Sequence, residues 1–423
     1  MASVGFGPVR TFAEQQRAHR VVLAQIVVFG VGATSGIQVA NFTVTGLSVV
    51  CLLLVPAFLL MRHRGAELVP LVLAALGWLS YLTSCLINDV SVLWPNAVAP
   101  AAFSLYLLGL TVITGREVAR TATVVAGIAA GSMIFFLSQG IELTQTGNFL
   151  DLWKYGIAQA ATTLVLYGLI RSTRVRWFVI PVTLVVFGLA SLALNFRAHA
   201  LVCLLSGAIL LTRRVLGSRI GRGWQFFGIA AFGLAFAYLM PIAARVGLFG
   251  PALRQKTLEQ QATDLPLFLV GRTEPPMSIT AILERPVLGW GSAQKLTPEV
   301  YTAAEHLAVR LGFAPTFPFE LYWRLPATDP SAMHSLVLGS WAEGGVLAAL
   351  LPLWLFACCV GLVWNSERYG VWGPLVVVLA VQGMWDLMYE AWTYNAIPVF
   401  ACIALFFSAA HFNRPASRDT RPP

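Results

Sequence analysis

Residues 335–362, SLVLGSWAEGGVLAALLPLWLFACCVGL, carry a single charged side chain, that of Glu343. An α-helix rises about 1.5 Å per residue, so about 20 apolar residues cross the roughly 30 Å hydrocarbon core of a bilayer. A run of this length and composition therefore predicts a membrane-spanning helix.

Similar apolar runs recur along the chain, and together with 335–362 they number twelve. They lie at 21–40, 44–61, 67–87, 97–113, 121–138, 157–170, 177–194, 198–211, 224–243, 335–362, 371–390 and 393–410. The pattern predicts an all-α polytopic membrane protein with about 12 transmembrane helices. Because twelve is even, both termini are expected on one side of the membrane.

The overall composition agrees with this prediction. The chain is 57% hydrophobic and 11% charged, with a mean hydropathy of +0.74, whereas about a quarter of the residues of a soluble domain are charged. The net charge of +9 does not indicate a nucleic-acid partner, because Lys and Arg form short clusters between the apolar runs. The six cysteines have neither CxxC nor Cys/His ligand spacing, so we expect no disulfide framework and no metal site.

The distribution of basic residues predicts the orientation. With a cytoplasmic N-terminus, eighteen of the 28 basic residues lie on the cytoplasmic side, and the short external connections carry only Lys154 and Arg197. Cytoplasmic loops of membrane proteins are rich in Lys and Arg. The polar N-terminus is followed by no convincing cleavage site, so the first span is expected to be retained. The predicted parts are a cytoplasmic segment 1–20, spans one to nine in 21–243, an extracytoplasmic loop subdomain 244–333, spans ten to twelve in 334–410, and a cytoplasmic tail 411–423.

The 244–333 segment between spans nine and ten differs from the rest in being richer in Pro, Glu, Thr and Arg. Thr-Pro-Glu at 297–299 predicts a helix start, and apolar residues from Val300 to Leu311 then recur at helical spacing. Its aromatic side chains could stack on sugar faces or form an interfacial belt. They are Tyr301, Phe313, Phe317, Phe319, Tyr322 and Trp323.

Two arginines at the external face are candidates for binding phosphate. Arg197 lies between two apolar runs, and Arg272 lies in the 244–333 segment. A guanidinium can hold a phosphate or diphosphate through paired hydrogen bonds. Arg197 could instead extend to lipid headgroups or pair with Asp151 or Asp386, and Arg272 could be a solvated loop residue.

A histidine at the start of a span is the candidate general base. His334 directly precedes the run 335–362, and imidazole is the side chain best suited to proton transfer near neutral pH. The alternative is a passive interfacial histidine. Glu343 is expected to lie about 13 Å deeper in the same helix, where it would brace the bundle. His199 and His306 are secondary base candidates, and the interpretation that we favour for both is an ordinary position on a polar face.

Asp386 and Glu390 are spaced i,i+4 near the external end of their span, which predicts a shared helix face. They could bind a cation or act as an alternative base. The interpretation that we favour is that they serve as counter-ions for Arg197 or Arg272. The chain has no P-loop, no GxGxxG in a strand–helix context, no HExxH and no GxSxG, so ATP-driven transport and zinc proteolysis are not favoured.

The order of these features resembles the O-antigen ligase and polymerase family of bacterial envelope glycosyltransferases. The resemblance is carried by Arg197, Gly271-Arg272, the turn PVLGWG at 286–291, His334-Ser335 and Glu343-Gly344-Gly345. The similarity in topology extends over nearly the whole chain, whereas the similar motifs lie within residues 195–350. Two motifs depart from the family pattern: Ser-Arg-Gly is replaced by FRA at 196–198, and His-Asn by His334-Ser335.

The resemblance implies an enzyme of the bacterial cytoplasmic (inner) membrane whose active face is extracytoplasmic. It would transfer a glycan from a polyprenyl diphosphate carrier to a hydroxyl of a glycan, glycolipid or protein acceptor, with inversion and without cofactor or metal. Arg197 and Arg272 would bind the diphosphate and His334 would be the base. Ligase and polymerase are not distinguished by these motifs.

Two other classes of function stay open. A transporter or flippase for a lipid-linked or anionic envelope precursor would use the same arginines to bind phosphate. A non-catalytic membrane scaffold would leave Arg197, Arg272 and His334 individually dispensable.

Overall fold

The computed structural model describes residues 12–40, 44–62, 65–139, 149–172, 176–217, 221–248, 250, 254–255, 257–258, 273–324 and 333–412. The helices before the loop subdomain are α1 Phe12–Ala33, α2 Gly46–Leu59, α3 Gly65–Ile87, α4 Pro95–Thr114, α5 Val118–Gln139, α6 Phe149–Leu152, α7 Ala158–Arg171, α8 Val179–Ala193, α9 Arg197–Leu216 and α10 Arg222–Arg245. The later helices are α11 Pro275–Glu284, α12 Pro298–Arg310, α13 Phe319–Trp323, α14 Leu336–Gly344, α15 Val346–Trp364, α16 Gly373–Tyr389 and α17 Ala396–Phe412.

Strands are confined, among these residues, to a two-stranded antiparallel hairpin of β1, Gln38–Ala40, and β2, Val44–Thr45. Short 3-10 helices lie at Thr34–Gly36, Ala293–Lys295 and Ser366–Trp372.

Seven of the described helical segments are long and apolar enough to cross a membrane. They are Leu68–Ile87, Pro95–Thr114, Val118–Gln139, Arg197–Leu216, Gly223–Arg245, Val346–Trp364 and Ser366–Tyr389. Four shorter apolar helices accompany them: Arg20–Gly36, Gly46–Leu59, Val179–Ala193 and Ala396–Ala409. The chain is therefore an all-α membrane protein, as predicted, while the total of twelve spans stays a prediction.

Three predicted runs differ from the observed helices. The run 21–40 is α-helical only to Ala33, because a 3-10 turn and strand β1 follow. The run 157–170 begins earlier, because α6, a π-helical turn at Trp153–Ile157 and α7 follow one another without a gap. The run 335–362 is two helices, α14 and α15, because Gly345 between them has φ +81° and ψ −179°. That conformation is essentially confined to glycine.

Close packing of α1 on α5 depends on two pairs of glycines with GxxxG spacing. A Cβ on Gly36 would lie 2.1 Å from the carbonyl oxygen of Gly131, and one on Gly127 would lie 2.2 Å from that of Phe29. In membranes, small residues at this spacing let helix backbones approach closely. The hydrophobic pattern alone did not predict this contact.

The described part of the loop subdomain, 273–324, has a hydrophobic core of its own. It is built around α11 and α12, and α12 begins after Thr297 as predicted. Five of the six aromatic residues considered for sugar stacking are buried in or beside this core, so packing within the subdomain accounts for them without a sugar; Phe317 and Phe319 also line a surface pocket beside α12. These five are Tyr301, Phe313, Phe317, Phe319 and Trp323, whereas Tyr322 is exposed.

Candidate functional site

His334 lies directly before α14 and faces a carboxylate. Ser335 is the N-cap of α14, since its side chain accepts a hydrogen bond from the backbone N–H of Leu338 at 3.1 Å, and this cap determines where the helix begins. His334 Nδ1 lies 3.1 Å from Oε1 of Glu274, and the exposed fractions of the two side chains are 25% and 12%. The imidazole is therefore accessible, while its carboxylate partner is largely buried.

The partner Glu274 was missed in the sequence analysis. It follows Arg272 by two positions and precedes two prolines, and Pro275 is the first residue of α11. Proline is favoured at the first helical position, so the sequence does predict a helix start there. The sequence does not predict that Glu274 pairs with a histidine 60 positions later, because that contact depends on how the subdomain docks on α14.

A carboxylate beside one imidazole nitrogen can determine the tautomer. With the proton on Nδ1, toward Glu274, His334 Nε2 has a lone pair that can accept a proton from a substrate. His334 Nδ1 and the second carboxylate oxygen, Glu274 Oε2, are both buried, and neither has a hydrogen-bond partner among the described residues. The 3.1 Å contact is therefore an ion-pair distance and not an aligned hydrogen bond. The pair can act as a general base once the Nδ1–H is turned toward the carboxylate.

Two of the motifs in the resemblance are joined at the break between α14 and α15. The backbone N–H groups of Trp290 and Gly291 donate to the carbonyl oxygens of Ala342 and Glu343 at 2.9 and 2.7 Å, and Val346 N–H donates to Pro286 O at 3.0 Å. Carbonyls at the end of a helix lack partners within the helix. The turn 286–291 supplies such partners for α14.

Hydroxyl groups of α3 fasten the same break from the bundle side. Ser84 Oγ donates to Glu343 O at 2.7 Å, and Ser80 Oγ donates to Gly344 O at 2.6 Å. The last turns of α3, the turn 286–291 and the end of α14 therefore meet at one end of the bundle, which we call the subdomain end.

The Glu343 side chain is buried at this junction, with 1% of its surface exposed. Its Oε2 accepts hydrogen bonds from Asn96 Nδ2 at 2.8 Å and Trp94 Nε1 at 3.4 Å, and its Oε1 accepts one from the Ala293 N–H at 3.1 Å. Glu343 thereby ties α14 to the start of α4 and to the loop subdomain. This arrangement agrees with the predicted bracing role.

Glu343→Gln is expected to flatten the pH dependence of stability. Burial raises the pKa of Glu343 from 4.5 to about 7, an effect that the hydrogen bonds from Asn96, Ala293 and Trp94 partly offset. Between these pH values the folded protein binds more protons than the unfolded chain, so the free energy of unfolding falls as the pH rises. The fall is about 1.4 kcal/mol for each unit of pKa shift.

The measurement is the thermal unfolding midpoint in detergent at pH 5 and pH 8. The midpoint of the wild type should fall between the two, and that of Glu343→Gln should fall less. Glu305→Gln, a half-buried carboxylate on α12, is the control and should follow the wild type. Equal slopes for Glu343→Gln and the wild type would assign the pH dependence to another group.

Arg197, the first residue of α9, contacts the segment that leads into the loop subdomain. Its Nη2 donates to Thr257 Oγ1 at 2.6 Å, and Thr257 is buried. Asn195, with φ +58°, makes the turn from α8 into α9 that places the arginine there. Arg272 lies outside the described residues, and the described contacts bring Arg197 to Thr257 and His334 to Glu274.

His199 is a core residue rather than a polar-face one. It is buried in the bundle, where Nδ1 lies 2.8 Å from Ser191 Oγ and Nε2 lies 3.2 Å from Thr162 Oγ1, and its ring stacks on that of Phe196. Both ring nitrogens are thus occupied by hydroxyl partners. His199 thus links α7, α8 and α9, and its role as a secondary base stays a prediction.

Asp386 and Glu390 line a cavity of about 580 Å³ inside the bundle, as do His199 and Lys154. Asp386 Oδ1 accepts a hydrogen bond from Gln382 Nε2 at 2.6 Å. The helix α16 ends at Tyr389, so Glu390 is extended rather than helical and lies just past the face predicted for it. The counter-ion role of the two carboxylates stays a prediction.

The same cavity includes residues of the π-helical turn. Lys154 and Tyr155 line it, and Lys154 Nζ donates to Tyr155 Oη at 2.7 Å. Within the described part of the chain, no group of three or more His, Cys, Asp or Glu side chains is arranged to hold a metal ion.

Comparisons of the chain with models of protein families, with curated proteins and with solved structures gave no match.

Proposed function

We propose that this protein is a membrane glycosyltransferase of the O-antigen ligase type. It transfers a glycan from a polyprenyl diphosphate carrier to an acceptor hydroxyl at the extracytoplasmic face of the bacterial cytoplasmic membrane. The observation that carries the proposal is the His334–Glu274 pair, 3.1 Å apart, at the start of α14; at the other end of the same helix, two motifs of the resemblance are hydrogen-bonded together.

The pair supports direct displacement with an oriented base. The acceptor oxygen attacks the anomeric carbon, its proton passes to His334 Nε2, and the electron pair of the breaking glycosidic C–O bond leaves with the carrier diphosphate. Attack from the face opposite the leaving group inverts the anomeric centre. Glu274 stabilises the imidazolium that forms, as the carboxylate of a catalytic triad does.

Arg197 and Arg272 would bind the diphosphate leaving group. Negative charge grows on the diphosphate as the C–O bond breaks, and guanidinium groups stabilise it through paired charge-assisted hydrogen bonds. Thr257, which accepts a hydrogen bond from Arg197, would hold this side chain in place until the donor arrives.

The decisive experiment follows transfer by the full-length protein in nanodiscs. The donor is a short-chain polyprenyl diphosphate oligosaccharide, and both product size and carrier diphosphate release are measured. Release that accompanies product formation supports the proposal, and a product ladder would indicate a polymerase rather than a ligase. Absence of turnover across a panel of donors and acceptors, with donor binding retained, would overturn it.

Arg197→Ala is expected to lower the transfer rate by about 10² to 10³, the usual loss when one charge-stabilising donor is removed. Arg214→Ala is the matched control, because Arg214 is exposed in the last turn of the same helix, about 25 Å away. Equal rates for the two variants would exclude Arg197 from diphosphate binding.

A transporter of lipid-linked or anionic precursors is the second candidate. It is favoured by the cavity, since ionisable groups inside a membrane bundle often mark a transport path and Asp386, Glu390 and Lys154 line this one. Two carboxylates, when ionised, would repel a diphosphate, so the cavity suits a cation coupled to transport better than it suits the donor headgroup. Movement of a labelled precursor across proteoliposomes, abolished by Asp386→Asn, would favour transport.

A further inference from the structure

Arg285, at the end of α11, has a guanidinium that is held from two sides. Its Nη1 donates to Asn88 Oδ1 at 2.6 Å, and its Cζ lies 3.8 Å from the centre of the Trp290 ring. Trp290 is itself fixed, because it is buried and its Nε1 donates to Ala281 O at 3.0 Å. The guanidinium is therefore positioned although Arg285 is exposed.

The contact with Asn88 places this guanidinium at the end of a span. The spanning segment Leu68–Ile87 ends one residue earlier. Asn88 is fixed to α3, since its Nδ2 donates to Ser84 O at 2.8 Å. Where the hydrocarbon-crossing part of a helix ends, the phosphates of the lipid headgroups begin, so the guanidinium lies at the level of those phosphates.

Exposed apolar side chains lie on the two elements that hold the guanidinium. Leu283 in the last turn of α11 and Val287 in the turn that follows are 74% and 64% exposed, and Leu86 and Ile87 at the end of α3 are 69% and 59% exposed. A cation surrounded by exposed aliphatic groups at the end of a span is the environment of a lipid, with its phosphate on the arginine and its chains along the aliphatic groups.

The charge of Arg285 is not neutralised within the described part of the protein. Glu284 and Asp89 are its acidic neighbours along the chain, yet no carboxylate among the described residues forms an ion pair with it. The alternative is that Arg285 only fastens the turn to α3. That role uses the single Nη1 hydrogen bond, and it does not explain why aliphatic groups flank a cation at this depth.

We propose that Arg285 binds the phosphate group of a membrane lipid at the subdomain end of α3. The site is separate from the residues of the proposed transfer reaction and holds whether or not that reaction is the function. Its ligand class is a phosphate ester carried on an apolar chain, which a bilayer phospholipid and a polyprenyl phosphate both offer.

The test is native mass spectrometry of the full-length protein in detergent with added phosphatidylglycerol. Arg285→Gln should retain about fivefold less lipid, which is the change that corresponds to the roughly 1 kcal/mol of one basic residue near a lipid phosphate. Arg310→Gln, which removes an exposed arginine of the same subdomain from the end of α12, should retain as much as the wild type. Diacylglycerol, which lacks the phosphate, should be retained equally by all three proteins.

Two further measurements distinguish which lipid supplies the phosphate and test the contribution of the hydrogen bond between Arg285 and Asn88. A short-chain polyprenyl phosphate competes with phosphatidylglycerol in an Arg285-dependent way if the carrier is the natural occupant. Asn88→Ala, which frees the guanidinium without removing its charge, should lower phosphatidylglycerol retention less than Arg285→Gln does. Equal retention of both phosphate lipids by Arg285→Gln and the wild type, at equal thermal stability, would overturn the site.

Discussion

His334→Ala is expected to lower the rate of glycan transfer by about 10² to 10⁴, the usual contribution of a general base. The His334 side chain is 25% exposed and lies 3.1 Å from Glu274. The substitution removes the group that takes the acceptor proton, and it leaves the largely buried Glu274 carboxylate without the imidazole. The measurement is the initial rate of carrier diphosphate release by protein of equal abundance and equal unfolding midpoint.

Glu274→Gln distinguishes an oriented base from a lone histidine. The substitution keeps the shape of the side chain and removes its charge, so the rate should fall, though by less than for His334→Ala. The double variant should be no slower than His334→Ala alone, because residues that act as one unit have non-additive effects.

His306→Ala is the matched control for the histidine. His306 is exposed on α12 in the same subdomain, and its variant should keep the wild-type rate. Wild-type activity in His334→Ala, or a loss in His306→Ala as large as that in His334→Ala, would remove His334 from the role of base.

Gly345→Ala is expected to be the most destabilising single methyl addition at the subdomain end, costing on the order of 3–5 kcal/mol. Gly345 has φ +81° and ψ −179°, and a Cβ there would lie 2.0 Å from the carbonyl oxygen of Val287. The backbone conformation and the clash act together, since an alanine tolerates neither. Relief requires either a straightened helix or loss of the hydrogen bonds to the turn 286–291.

The measurement is the thermal unfolding midpoint of the purified protein in detergent. Gly168→Ala is the control, because Gly168 lies in the last turn of α7 with open space where its Cβ would be. Alanine is the better helix former by about 1 kcal/mol, so this variant should match or exceed the stability of the wild type. A Gly345→Ala protein as stable as Gly168→Ala would show that the break is not specified by Gly345.

The all-α fold was predictable because hydrocarbon requires that backbone groups be satisfied within each spanning segment. Long apolar runs such as Val346–Trp364 therefore have few alternatives to a helix. The break at Gly345 was harder to predict. Glycine is common in spanning helices, and the hydrogen-bond donors that make an interruption possible come from elsewhere in the chain, the docked turn 286–291 and the Ser80 and Ser84 hydroxyls of α3.

Site residues could be predicted from the sequence when their residue type alone was informative. They could not be predicted when their importance depends on a contact with a residue far away in the sequence. His334 stands out because a histidine beside a spanning helix is chemically unusual. Glu274 does not stand out, since an acid in a polar loop is ordinary, and its importance follows from a distance of 3.1 Å to a residue 60 positions later. The burial of Phe313 and Phe319 was missed for the same reason, because composition does not tell a subdomain core from a sugar-binding face.

The interruption at Gly345 also sets a length. An unbroken helix from Leu336 to Trp364 would measure roughly 43 Å, well beyond the hydrocarbon thickness of about 30 Å, whereas the 19 residues of α15 measure about 28 Å and match it. A spanning helix without excess length has no reason to tilt or to thicken the surrounding bilayer. The direction of α14 is then set by the loop subdomain instead of by the thickness of the lipid. In a bilayer of that thickness, the height of the His334 imidazole should accordingly follow from the docking of the loop subdomain on α14.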